Sequence, residues 1–325
     1  MAETDVAIVG GGIAGCTLAC TLAERGAKVM LFEAGRVGRQ GASSVPVALL
    51  NPHRGRTARA SDADLAGLAA MRELVGVLRE RGLEPGAHFT GVLRLASNPK
   101  QAEMWRKLTG VRWLGPRDVP PPYHGPHGGF LVEAGGWVEP GALLASLVQA
   151  AERNGARVVE GCRVTELEPR PAGVTLATAH GPFEARRVVL CTGAERWPTL
   201  ALPPFARVAG DVVGLRSQLE LPYPLAGTVY GAQLEHTVWV GGNHREADTP
   251  DPDAPAQLQR ALGWFVKPLA EAERIGLWSG VRARTQDQEP VFKPLLPGVY
   301  FMGALAGRGF LRAAHLALLA ADELA

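Results

Sequence analysis

A turn of small residues near the start constrains this chain more than any other feature. Residues 5–9 read as a short apolar strand that runs into Gly10-Gly11-Gly12-Ile13-Ala14-Gly15 and then into a helical stretch over residues 16–25. Gly26 stops that helix, and residues 29–32 form a second buried strand that ends at Glu33. Each part of the pattern has a physical task. Gly10 permits a tight turn, Gly12 lets the backbone approach a diphosphate, and Gly15 lets the helix pack closely on the strand. Amides at the helix N-terminus stabilise the diphosphate, and Glu33 is placed to accept hydrogen bonds from a ribose. Alone, the three-glycine pattern is weak. Set in a strand-turn-helix-strand with the acid at this spacing, it is specific for a bound dinucleotide.

The rest of the chain alternates helices and strands at both ends, with a strand-rich middle. Ser61 or Asp62 caps a helix running to Glu80, with Leu65, Leu68, Met71, Leu74 and Leu78 on one face. Residues 89–96 alternate like a strand, 116–126 form a proline-dense connection, and 140–154 form another helix. Strands are expected at 157–160, 164–167, 174–177, 187–191, 208–215, 237–241 and 299–302. Residues 248–255 read as a proline-broken loop, and 310–324 as the final helix. The pattern implies a cofactor domain built from residues 1–85, 136–205 and 280–325. A second, substrate-facing domain of residues 86–135 and 206–279 is inserted into it.

Three later features favour a flavin over a nicotinamide. The strand ending in Cys191-Thr192-Gly193-Ala194 leads to a small-residue turn suited to an adenine-ribose region. The loop Gly41-Ala42-Ser43-Ser44 lies where the chain passes the diphosphate and ring. Residues 303–309, with Gly303, Gly307 and Gly309, open directly into the last helix. A helix N-terminus aimed at a flavin ring stabilises the negative charge that arrives on reduction. Only one dinucleotide pattern is present, so a second site for NADPH is not implied.

Bulk properties narrow the remaining classes. With 325 residues, 46% hydrophobic and 20% charged, the chain has ample core, and a net charge of +2 gives no reason to expect a DNA partner. The four cysteines, Cys16, Cys20, Cys162 and Cys191, show neither C-x-x-C nor zinc spacing, so a reduced cytoplasmic protein without a metal site is expected. Residues 6–22 are apolar but follow Glu3 and Asp5 and are broken by glycines, unlike a secretory signal. No membrane span is expected, and oligomeric state is not legible. The run Pro52-His53-Arg54-Gly55-Arg56-Thr57-Ala58-Arg59 suits either a solvated loop, the usual fate of a charge run, or a contact for tRNA phosphates.

Taken together, these motifs resemble the D-amino acid oxidase superfamily of FAD-dependent oxidoreductases. The resemblance also rests on Gly135-Gly136-Trp137, Gly280-Val281-Arg282-Ala283-Arg284-Thr285-Gln286-Asp287 and Phe301-Met302-Gly303-Ala304-Leu305-Ala306-Gly307-Arg308-Gly309, all in the same order. It is most similar to the FAD domain of the bifunctional enzymes that modify the tRNA wobble uridine, and next to glycine oxidases. The resemblance implies an α/β fold: an FAD-binding Rossmann-like domain of the glutathione-reductase type with an inserted antiparallel-sheet substrate domain. It implies non-covalent FAD, since no cysteine follows Cys191. Contacts implied for FAD include Ile13, Ala14, Ala34, Val164, Arg308 and Phe310, beside the residues already named. The implied chemistry is oxidation of the C–N bond of an amine that carries a carboxylate, either a modified tRNA or a free glycine, sarcosine or D-amino acid. Arg282 matches the carboxylate-holding arginine, Arg308 an arginine near the ring, and Tyr230 and His244 positions lining the pocket. The bland alternative pairs Arg282 with Asp287 or Glu289. Departures at Pro46, Lys293 and Arg312 are expected around the flavin ring and substrate mouth. They leave open a flavin-binding protein that has lost turnover.

Overall fold

The opening strand Thr4–Val9 alternates its side chains between two cores. Val6 and Ile8 enter one, Ala7 and Val9 the other, and all four are buried. A strand buried on both faces belongs inside a parallel sheet. The structure, a computed structural model, describes residues 4–197 and 199–324. In it Thr4–Val9 pairs in parallel with Val29–Phe32 on one side and with Gly181–Leu190 on the other. Arg157–Val159 extends the sheet beyond Val29–Phe32, and Val299–Gly303 lies parallel to the last residues of Gly181–Leu190. The first half of Gly181–Leu190 turns instead to an antiparallel meander with Gly173–Thr178 and Val164–Arg170. One long strand thus serves both a parallel sheet and a meander.

Six α-helices occur among the described residues: α1 (Ile13–Glu24), α2 (Asp62–Glu80), α3 (Pro99–Trp105), α4 (Pro140–Arg153), α5 (Ala254–Gly263) and α6 (Gly309–Leu324). Helices α1, α2, α4 and α6 share the core that covers Val6 and Ile8. A second large sheet stands beside this assembly. Its strands run in the order Arg274–Arg284, Ala206–Arg216, Thr237–Gly241, Tyr230–Leu234, Leu225–Ala226, Val92–Leu95, Gly129–Val132 and Arg112–Leu114. All its pairings are antiparallel except that of Leu225–Ala226 with Val92–Leu95. Helix α5 backs it through Leu258 and Leu262. The second sheet therefore draws on residues 92–132 and 206–284, two stretches far apart in sequence.

The strands and helices expected from alternation and capping are present, with instructive shifts. Helix α1 begins at Ile13, three residues earlier than the apolar run suggests, because the turn itself supplies the first helical residues. Ser61, not Asp62, caps α2 by accepting from the Asp64 amide at 3.2 Å. Leu65 is 46% exposed, and Val75 takes a buried place on that helix instead. Helix α3 follows Asn98, whose side chain caps it, and α5 starts inside the proline-broken stretch at Ala254 with Pro255 in its first turn. The strands Gly129–Val132, Tyr230–Leu234 and Arg274–Arg284 lack clean alternation and carry no strand signal in the sequence.

Arg312 departs from its expected position around a flavin ring. Its side chain is 4% exposed and sits in an ionic knot between helices. Its Nε donates to Asp64 Oδ1 at 2.6 Å, Nη1 donates to Glu289 and Nη2 to Ser61 Oγ at 3.1 Å. Since Ser61 and Asp64 open α2, one arginine on α6 fastens the starts of two helices. Lys293 is exposed on the outer strand Val291–Leu296, and neither it nor Pro46 lines the central cavity described below. Lys293 and Arg312 thus lie off the cavity wall, whereas Pro46 stands between Val45 and Val47, which line it. Breaking a buried ion pair typically costs about 3 kcal/mol. Arg312→Ala is expected to lower the unfolding free energy by about that amount, seen as a lower denaturant midpoint at unchanged slope.

Candidate functional site

The glycine turn is held by contacts that no larger residue would allow. Gly10 has φ +114°, and a Cβ there would lie 2.5 Å from the Cys191 carbonyl oxygen. A Cβ on Gly15 would collide with the carbonyl of Gly10. The turn, the first helix and the end of Gly181–Leu190 are thereby pressed into one backbone surface. Glu33 buttresses it from the second strand, accepting from the Gly11 amide at 2.7 Å and from the Gly35 amide at 2.8 Å. The Ile13 amide, at the head of α1, donates to Ser43 Oγ at 3.0 Å. The loop Gly41-Ala42-Ser43-Ser44 is therefore drawn over the helix N-terminus. Ser44 Oγ donates to Gly41 O and accepts from Trp278 Nε1 at 3.0 Å, which ties the loop to the second sheet. Across the turn, Thr192 Oγ1 is buried without a partner.

A cavity of about 1340 Å³ opens from this turn and extends between the two large sheets. Gly10, Gly12, Ile13, Ala14, Glu33, Ala34, Gly41, Ala42, Ser43, Val164, Thr192 and Gly193 line its one end. Gly303, Gly307, Arg308, Gly309 and Phe310 line it as well, Gly309 beside Ile13, and the wall leads on past Gly307 to Tyr230, His244 and Arg282. Two expected contacts lie off the wall: Gly15 packs beneath Gly10, and Ser44 faces Trp278. The volume exceeds the ~300–1,000 Å³ common for a single small ligand, so a dinucleotide and a substrate can share it.

The far end is cationic. Arg282 comes from the strand Arg274–Arg284, and its Nη2 donates to Ala209 O and Asn243 O, each at 3.2 Å. It pairs with neither Asp287 nor Glu289. A Cβ on Gly210 would collide with that guanidinium, so a glycine makes its approach possible. Asn243 is locked by Asp211, which accepts its side-chain amide at 2.7 Å and returns a backbone amide at 2.8 Å. Ser279 Oγ adds a bond of 2.5 Å to Asp211. Asp211 and Asn243 were missed in the sequence, although a lone acid inside the apolar run Val208-Ala209-Gly210-Asp211-Val212-Val213 was the available signal. Tyr230 packs against Gly241, and burial pushes its hydroxyl up to about 12 despite the opposing charge of Arg282. Arg308 lines the cavity, but its Nη1 lies 3.4 Å from Asp64 and its Nη2 3.6 Å from Glu289.

The run at residues 52–59 is neither a solvated loop nor a uniform basic surface. Pro52 and His53 are buried, Arg56 and Arg59 are exposed, and Arg54 lines the cavity. Arg94, 3% exposed, holds the run by donating to His53 O and to Gly55 O, the latter at 3.0 Å. Its guanidinium lies 4.9 Å from the Trp105 ring centroid, and Trp105 Nε1 in turn donates to Arg56 O at 2.9 Å. Charge counting along the sequence could not reveal which arginine points inward.

The sequence profile of the FAD dependent oxidoreductase family, DAO, matches residues 5–323. This chain belongs to the DAO family of FAD-dependent oxidoreductases. It is 30% identical over 98% of its length to the tRNA 5-methylaminomethyl-2-thiouridine biosynthesis bifunctional protein of Maricaulis maris, covering 51% of that protein. It is 28% identical to glycine oxidase of Geobacillus kaustophilus, over 98% of this chain and 92% of that one. The crystal structure of that glycine oxidase superposes with a TM-score of 0.86 over 99% of this chain and 94% of the other. The chain spans about half the length of the first two curated relatives it matches, at 51% and 46%.

The cavity suits the family's cofactor. The glycine surface admits a diphosphate against the head of α1, and the unpartnered Thr192 hydroxyl offers a buried hydrogen bond beside it. Among the described residues no group of His, Cys, Asp and Glu could hold a metal ion, and no helix is long and apolar enough to cross a membrane.

His244 sits among the cations with its surface open to the cavity. Desolvation first, and then the charges of Arg282, Arg54 and Arg284, hold its imidazole down to about 4. An ordinary histidine would gain a charge below about pH 6.5 and tighten anion binding as pH falls. His244, still neutral there, adds none. The affinity of the FAD-loaded protein for methoxyacetate, read from the flavin absorbance, is expected to stay level between pH 7.5 and 5.5. A marked tightening over that interval would show that His244 titrates normally.

Proposed function

We propose that this chain oxidises the C–N bond of a small free amine that carries a carboxylate. The observation that carries the reading is Arg282: a guanidinium held by two carbonyls, with no carboxylate partner among the described residues, at the far end of an FAD-fitting cavity. Such a group is matched by a carboxylate, which its fork can accept in two places. FAD, when bound, supplies the two-electron acceptor for a hydride from the carbon next to nitrogen, and water then hydrolyses the resulting imine.

The protein's part is to bind, orient and exclude water. Gly10, Gly12, Ile13, Ala14, Glu33, Ser43 and Thr192 hold the dinucleotide end. Gly303, Gly307, Gly309 and Phe310 bring the head of α6 to the ring end, where its dipole favours negative charge. The second sheet, drawn from residues 92–132 and 206–284, forms the substrate-facing part and contributes Tyr230 and Arg282, with His244 from the loop after Thr237–Gly241. Tyr230, its hydroxyl raised by burial, donates a hydrogen bond and does not act as a base near neutral pH. His244 stays neutral and leaves the carboxylate to Arg282.

A second reading, oxidation of a carboxymethylaminomethyl group on tRNA, is supported by the likeness to the Maricaulis maris protein. The inward turn of Arg54 weakens it, since residues 52–59 then offer phosphates fewer cations. Binding of tRNA that falls steeply with salt would favour this second reading.

Under anaerobic conditions, sarcosine or another N-substituted glycine is expected to bleach the flavin absorbance of the purified protein. Arg282→Gln should lower kcat/KM about 100-fold, roughly the worth of a charged hydrogen-bond pair. A fully loaded protein that no carboxylate-bearing amine reduces would overturn the proposal.

A further inference from the structure

Arg54 stands opposite Arg282 and is the second cation at the substrate end without a carboxylate. The two approach one another around Gly307. A Cβ built on Gly307 would lie 3.5 Å from Arg282 Nη1, 3.6 Å from Arg54 Nη2 and 3.9 Å from His244 Cε1. Arg282 arrives from the second sheet. Arg54 arrives from the loop after the strand Ala48–Leu50, which Arg94 and Trp105 clamp in place. Arg54 forms no hydrogen bond or ion pair among the described residues.

The nearby acids are all committed elsewhere. Asp64 and Glu289 pair with Arg308 and Arg312. Asp211 is occupied by Asn243 and Ser279. Burial, followed by the charge of Arg308, pushes Arg54 down to about 10 against the opposing charge of Asp64, with Arg282 and Arg312 adding to the fall. Two guanidiniums forced toward one volume repel each other unless an anion lies between them. A single carboxylate compensates one of the charges, and a dianion compensates both.

We infer that the substrate carries two carboxylates, one held by Arg282 and the other by Arg54, so that it is an amino dicarboxylate. This rests on the reading that the Arg282 end is the substrate end. The amine lies between the two acid groups, with the reacting carbon next to it. An amine with one carboxylate leaves Arg54 uncompensated and binds more weakly.

Two matched pairs of small molecules test the inference on the FAD-loaded protein. Sarcosine and iminodiacetate differ only by one carboxylate, and both are candidate substrates. Methoxyacetate and diglycolate are their ether counterparts, which contain no amine to oxidise. Diglycolate is expected to perturb the flavin absorbance at a concentration about 30-fold lower than methoxyacetate, and iminodiacetate to exceed sarcosine in kcat/KM by a similar factor. Arg54→Gln should erase both advantages while leaving methoxyacetate, sarcosine and bound FAD within about threefold of the unaltered protein. Arg54→Lys should restore part of the preference, and Arg282→Gln should weaken all four compounds.

Equal binding of the two ethers would overturn the inference. So would an Arg54→Gln protein that loses both ethers equally or releases its FAD, since Arg54 would then serve the cofactor or the fold. If diglycolate is preferred through Arg54 but neither amine reduces the flavin, the dianion site stands and amine oxidation fails.

Discussion

The structure depends on how closely the backbone of the first turn can approach its neighbours. Gly10 lies against the carbonyl of Cys191, and Gly15 lies against the carbonyl of Gly10, with no side chain between them. This contact sets the distance between α1 and the parallel sheet, and so aims the helix's free amides at the cavity. Glu33 keeps the arrangement from relaxing, because its two oxygens bridge the amides of Gly11 and Gly35. The acid expected to meet a ribose therefore also braces the turn proposed to carry that ribose's diphosphate. Steric exclusion comes first here, and the electrostatic site follows from it.

The opposite end of the cavity is governed by desolvation rather than by sterics. Arg282 is brought there by a sheet assembled from distant stretches of chain and Arg54 by a loop, and each needs its own support. Arg282 is accepted by the carbonyls of Ala209 and Asn243, with Asp211 holding Asn243 in place. Arg54 is positioned indirectly, through Arg94 and Trp105 gripping the carbonyls around it. Carbonyls orient a cation without cancelling its charge, so these supports leave the positive field intact for a ligand.

What could be read in the sequence was local. The glycine turn, the acid closing the second strand and the unbroken apolar run Val6 to Val9 each lie within a few residues of the partners that give them meaning. Together they disclosed the parallel sheet and the dinucleotide end. The substrate end was legible only through resemblance, as Arg282, Tyr230 and His244. Arg54 could not be told from Arg56 or Arg59, because its inward direction is imposed by Arg94, forty residues further along the chain. Arg312 was misplaced for a similar reason, since its partners on α2 are separated from it by most of the sequence. The strand Arg274–Arg284 escaped notice because its glycines and tryptophan obey the packing of the opposite wall rather than a period of two.

Four arginines gather near α6, and the placement of two acids divides their tasks. Asp64 and Glu289 reach Arg308 and Arg312, which become part of the helix packing. Neither acid forms an ion pair with Arg54 or Arg282, which stand at the cavity wall without a carboxylate partner among the described residues. Had Asp64 stood one helical turn away, Arg308 and Arg312 would have been left to share Glu289 alone at the start of α6. Neutralising the inner pair thus stabilises the helix whose N-terminus faces the ring end, while the outer pair remains available. The same residue type acts as a structural clamp or as a ligand for an anion according to whether a carboxylate is within about 4 Å. That distinction is made by tertiary placement, and it is what turns a cluster of basic residues into a site.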